Sequence, residues 1–174
     1  GPLEVQLQLK DSGIPVVIMD GSRGRDLIGE HRAVDLAWVL WTVGTVAGLF
    51  TAVSIPFLMF TQYNVEPDAA FGGWLMPVVP PMVSAATGAL LIPYLPAGAA
   101  RATMLYGCYA MFGLSLVAAF LIIAMIWSRL TYFGTSGTAR VATLWIVLGP
   151  VGQSITAAGL LGSAAALAVD HEIA

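Results

Sequence analysis

Two short stretches of this chain set prolines beside hydroxyl and amide side chains where no charge is near. One runs from Pro77 through Pro80, Pro81 and Ser84 to Thr87; the other runs from Gly149 through Pro150, Gln153 and Ser154 to Thr156. Such groups cannot exchange protons at neutral pH. They can hold an anion without a buried cation, and loosely enough to release it. An interior proline removes a backbone donor and clashes with the preceding turn. A broken helix also aims the positive end of its dipole at whatever lies beyond the break. The expectation is therefore a neutral anion path touched by Pro80, Pro81, Ser84, Thr87, Gly149, Pro150, Gln153, Ser154 and Thr156. In it the prolines open the helices and free backbone amides, and the hydroxyl and amide groups meet the anion.

Spacing assigns these residues to helix faces. Gly73, Pro77, Pro80, Ser84 and Thr87 recur at intervals of 4, 3, 4 and 3, and Gly149, Gly152, Thr156, Gly159 and Ser163 at 3, 4, 3 and 4. Residues so spaced share one side of a helix. The two stretches are also copies of one another. An offset of 69 residues lays Pro81 on Pro150, Thr87 on Thr156, Ala89 on Ala158, Leu91 on Leu160 and Ser84 on Gln153. The second copy begins two spans after the first, so the repeating unit is a two-helix hairpin. The alternative is that small residues merely let helices pack closely, as Gly44 and Gly48 would.

The elements that carry these faces follow from charge. The chain has 174 residues, 58% hydrophobic and 10% charged, against about 25% charged in a soluble domain. Ten of the seventeen charged side chains lie in residues 1–35, which leaves charge-free runs at 36–65, 69–100, 102–128 and 141–169. A bilayer crossing needs roughly 20 apolar residues. The chain therefore reads as an all-α integral membrane protein with four transmembrane helices in two hairpin repeats. The spans fall at about 36–61, 72–95, 102–128 and 141–165, between a polar segment 1–34 and a polar tail 170–174. Trp38 and Trp41 at the start of the first span, and Tyr63 after it, fit interfacial aromatic belts. Spans two and four carry the small polar faces; spans one and three read as lipid-facing supports.

Absences narrow the function. No ionisable residue falls well inside a span, which disfavours proton relays, pumps and voltage sensors. His31 and His171 lie in the polar ends and cannot ligate a haem between helices. Cys108 is alone, so paired-thiol redox chemistry and a disulfide are out of reach. Ser84 and Ser154 have no base beside them for nucleophilic catalysis. The reading is a non-enzyme with no cofactor, no metal and no nucleic-acid partner, whose partners are a small anion and the lipid bilayer. Gly21, Gly24 and Gly29 lack the lysine and strand–helix setting of a phosphate loop. The chain opens Gly1-Pro2 with no initiator methionine, which fits a fragment or a processed chain.

The run from Gly73 to Gly88 and the run from Leu148 to Thr156 resemble the tellurite-resistance/dicarboxylate transporter family of the voltage-dependent anion channel superfamily. The segment Asp35 to Gly44 resembles its actinobacterial, C4-dicarboxylate/malic-acid-transporter-like members. The likeness covers about residues 30–165. It implies a ten-helix, five-hairpin anion-channel fold around a central pore, of which this chain would be the fourth to seventh helices. It also implies C4-dicarboxylate (malate-like) or small inorganic anion transport, a trimer, and a multi-pass place in the bacterial inner (plasma) membrane. By family placement the first span starts outside; Arg23, Arg25, Arg32 and Arg101 counted against Arg129 and Arg140 favour the opposite orientation. With four helices the chain would be a central fragment. A contrasting expectation is a non-transporting four-helix scaffold whose small faces pack dry.

Overall fold

The computed structural model describes residues 30–135 and 141–169. Most of the polar segment 1–34, residues 136–140 and the tail 170–174 lie outside the described residues. By its contacts the chain divides into a unit of residues 1–37, helical from residue 30, and a unit of residues 38–174 that holds the remaining elements.

The described residues form helices and turns. Helix α1 is Glu30–Gln62, α2 is Pro80–Leu91, α3 is Ala99–Phe133 and α4 is Leu148–Val169. Short 3₁₀ segments fill the gaps: Gly72–Leu75, Ile92–Tyr94 and Ala142–Val147. Three stretches, Arg32–Gln62, Ala99–Phe133 and Ala142–Ala166, are long and apolar enough to cross a membrane. The second expected span, 72–95, is not a single helix. It winds as 3₁₀, turns through residues 76–79, and becomes α-helical at Pro80 for 12 residues, about 18 Å of rise.

Proline density accounts for the break. Pro56 sits alone inside α1, which continues through it. Pro77, Pro80 and Pro81 remove three donors within five positions, so an α-helix cannot run through them. The chain instead starts a new helix with Pro80 and Pro81 in its first turn, where no intrahelical donor is required. The fourth stretch solves the same problem in the same way. An α-helix wound from Ala142 would force Pro150 against the Ile146 carbonyl. Residues Ala142–Val147 wind as 3₁₀, and α4 begins at Leu148 with Pro150 in its first turn. The internal repeat thus appears as one structural device used twice, a 3₁₀ lead-in followed by a proline-opened helix.

Helix α2 is the hub and packs on both α3 and α4. Ala85, Ala89, Ile92, Leu105, Cys108 and Leu161 form one buried cluster; Met82, Ala86 and Ala157 form another. Below these, Leu75, Val78, Ala119 and Ile126 pack together, and the Ser115 hydroxyl donates to the Val78 carbonyl. The lead-ins meet backbone to backbone, since a Cβ at Gly72 would overlap the Thr143 carbonyl. Gly98 and Gly134 bound α3 with φ of 99° and 71°, a region that favours glycine. Arg101 returns from α3 to donate to the Leu95 and Pro93 carbonyls at 2.9 and 3.1 Å, closing the turn before α3.

Helix α3 runs five residues past the expected end of its span, so Arg129 is helical and buried. Along α3 a stripe of Leu105, Cys108, Ser115, Ala119 and Ile126 faces inward, while Phe120 and Trp127 are exposed. From Trp38 onward α1 is mostly bare: Val39, Val43, Val46, Phe50, Val53 and Phe57 are each more than half exposed. Apolar helices of this length with bare outer faces suit lipid.

Candidate functional site

A groove of about 540 Å³ opens where the two proline-started helices come together, and α1 forms its third wall. From the second stretch come Met76, Val79, Pro80, Val83, Ser84 and Thr87; from the fourth come Ile146, Gly149, Pro150 and Gln153; α1 supplies Leu40, Trp41 and Gly44. Every lining residue is uncharged at neutral pH. The two first turns, with their positive dipole ends, both border the space.

Six of the nine residues expected from sequence line this groove: Pro80, Ser84, Thr87, Gly149, Pro150 and Gln153. The aligned pair Ser84 and Gln153 is among them, one from each copy of the repeat. The other three lie elsewhere. Pro81 is fully buried and does not line the groove. Ser154 is turned to its own helix, where its hydroxyl donates to the Val151 carbonyl at 2.7 Å. Thr156 is exposed and donates to the Gly152 carbonyl at 3.2 Å. Gly73 and Pro77 do not line it either. Their place on a shared face presumes 3.6 residues per turn, and residues 72–79 are not wound that way.

Helix α1 is a wall of the groove and not only a support. The Trp41 indole donates to the Ser84 carbonyl at 2.8 Å across 43 residues of sequence, so Trp41 ties α1 to α2. Such a bond contributes about 0.5–1.5 kcal/mol net. Two glycines allow the approach: a Cβ at Gly88 would stand 3.0 Å from the Trp41 Nε1, and one at Gly48 would stand 2.9 Å from the Pro80 Cβ. Gly44, one turn before Gly48, meets nothing within 4 Å and opens onto the groove. The Gly44–Gly48 pair is therefore half packing and half lining.

The prolines do not free backbone amides at α2. Pro80 and Pro81 have none to offer. The Met82 and Val83 amides both return to the Val79 carbonyl, at 2.9 and 3.4 Å, and those of Val78 and Val79 return to the Leu75 carbonyl at 3.2 Å. The Thr87 hydroxyl donates to the Val83 carbonyl at 2.8 Å. The side of the groove built by α2 thus has a positive dipole end but few protons to give.

Fold and site together define a helical membrane protein with an uncharged groove between paired, proline-broken helices. The chain belongs to the voltage-dependent anion channel (SLAC1) family, which it matches over residues 13–174. That match reaches further at both ends than the motifs alone. Among curated relatives, the sulfite efflux pump of Trichophyton rubrum is 26% identical over 117 residues, covering 67% of this chain and 31% of the relative. An uncharacterized transporter of Methanocaldococcus jannaschii is 28% identical over 134 residues, covering 77% of this chain and 38% of the relative. The chain spans 31% to 39% of the length of the curated relatives it matches. No solved structure is significantly similar to it.

Proposed function

We propose that this chain forms part of an anion transporter or channel whose path runs along the groove between α2 and α4. The observation that carries the reading is the pairing of two proline-opened helix starts over a space lined only by neutral groups. A neutral lining fits rapid transit, because a buried cation would bind an anion too tightly to release it. The dipole ends of α2 and α4 supply attraction without a titrating group.

The substrate is a C4-dicarboxylate of the malate kind or a small inorganic anion. Sulfite is the inorganic case named by the fungal relatives. The protein works as a multi-pass plasma-membrane protein, as a trimer, and without enzymatic chemistry or a cofactor. Space of this size between the small-residue faces is also what a dry-packed scaffold would lack. The test is anion flux from liposomes holding the intact protein, with malate, sulfite and chloride as probes. Flux of at least one probe, reduced by Gly44→Leu at the open wall, is the expected result; no flux of any of them overturns the proposal.

A further inference from the structure

Four polar side chains line the groove, Trp41, Ser84, Thr87 and Gln153, and few of them have a proton to spare. Thr87 gives its hydroxyl proton to Val83 and Trp41 gives its indole proton to Ser84, both at 2.8 Å. Pro80 and Pro150 have no N–H, and the amides behind Pro81 are committed to Val79. Among the described residues that line the groove, the Gln153 carboxamide and the Ser84 hydroxyl are the polar side chains without a side-chain hydrogen bond. Of these Ser84 is 7% exposed, whereas Gln153 is half-buried on α4, three residues past Pro150. A carboxamide presents two N–H donors and can turn them toward an anion.

We infer that Gln153 is the specificity-determining residue of this path, and that Thr87 on the facing helix takes no part in selection. The inference rests on the reading of the groove as an anion path. An anion entering an apolar groove gives up water donors, and the cost is greatest for strongly hydrated ions. Gln153 returns donors at that point, so it favours strongly hydrated anions such as chloride over weakly hydrated ones such as thiocyanate. Without it the path ranks anions by ease of dehydration alone.

The experiment measures chloride and thiocyanate flux from liposomes containing the intact protein. In Gln153→Met, which keeps the length of the side chain, the chloride-to-thiocyanate ratio falls about threefold or more, because both anions lose a hydrogen bond and the strongly hydrated chloride loses the stronger one. Gln153→Leu gives the same shift, and either variant that assembles suffices. Thr87→Val leaves the ratio within about twofold of wild type, because its hydroxyl serves its own helix. Wild-type flux with an unchanged ratio in the Gln153 variants overturns the inference and leaves the transport reading standing. An equal shift in Thr87→Val overturns it too. No flux from the wild type overturns both.

Discussion

At Gly88 on α2, side chains from α1 and α3 press on the same spot, and adding one methyl group there tests the arrangement. A Cβ at Gly88 would lie 2.7 Å from the Cys108 Sγ, 3.0 Å from the Trp41 Nε1 and 3.1 Å from its Cζ2. Alanine in a helix interior gains about 1 kcal/mol over glycine. Overpacking a tight core costs about 1–3 kcal/mol, and displacing the indole puts at risk a hydrogen bond worth about 0.5–1.5 kcal/mol. Gly88→Ala should therefore destabilise by about 0.5–3.5 kcal/mol despite its better helix propensity. Cys108→Ala alone leaves a small void and costs about 1–2 kcal/mol. In the double variant the new methyl fills the space left by the sulfur. The pair should then be more stable than the sum of the single effects by about 1–2 kcal/mol. Denaturant unfolding of the intact protein in detergent, run as a double-mutant cycle, measures this coupling. Additive effects, or a stabilising Gly88→Ala, would refute the three-helix contact.

Three further outcomes follow from the same packing. Gly44→Ala should leave stability unchanged or raise it by up to about 1 kcal/mol, while Gly48→Ala, whose Cβ would press on the rigid Pro80 ring, should lower it; thermal unfolding of the two variants side by side checks the contrast. Trp41→Phe should weaken the α1–α2 contact by about 1–2 kcal/mol through the lost bond to the Ser84 carbonyl, read as faster cross-linker or protease access to α1. Ser115→Ala should cost about 1–3 kcal/mol by leaving the buried Val78 carbonyl without its donor, whereas Ser163→Ala, on an exposed part of α4, should be nearly silent in the same unfolding assay.

What the sequence made legible was whatever depends on composition and on local chain chemistry. Charge-free runs announced the long helices, and prolines announced that the second and fourth stretches would break. The repeat offset paired Ser84 with Gln153, and both do line the groove. Legibility failed where one assumption, a uniform helical period, was carried through the prolines. It placed Gly73 and Pro77 on a face they do not share with Ser84; in α4 the period holds, but the lining stops at Gln153, short of Thr156. The contact made by Trp41 was hidden for a different reason. A tryptophan near a span boundary looks the same in sequence whether its N–H faces headgroups or a carbonyl 43 residues away, and only the close approach allowed by Gly88 decides between them. The hydroxyls mislead similarly, because residue type does not reveal that Thr87, Ser154 and Thr156 donate to their own helices.

The contact between Gly72 and the Thr143 carbonyl carries a consequence for how this chain can vary. Its partner atom belongs to a peptide group, which every amino acid possesses, so no replacement at position 143 can make room for a side chain at position 72. Most packing conflicts in a protein can be relieved by a compensating change at the neighbour; this one has no such second-site suppressor. In a saturation library, position 72 should therefore accept glycine alone, while Gly88, whose neighbours Cys108 and Trp41 meet it through side chains, should tolerate alanine better once Cys108 has changed.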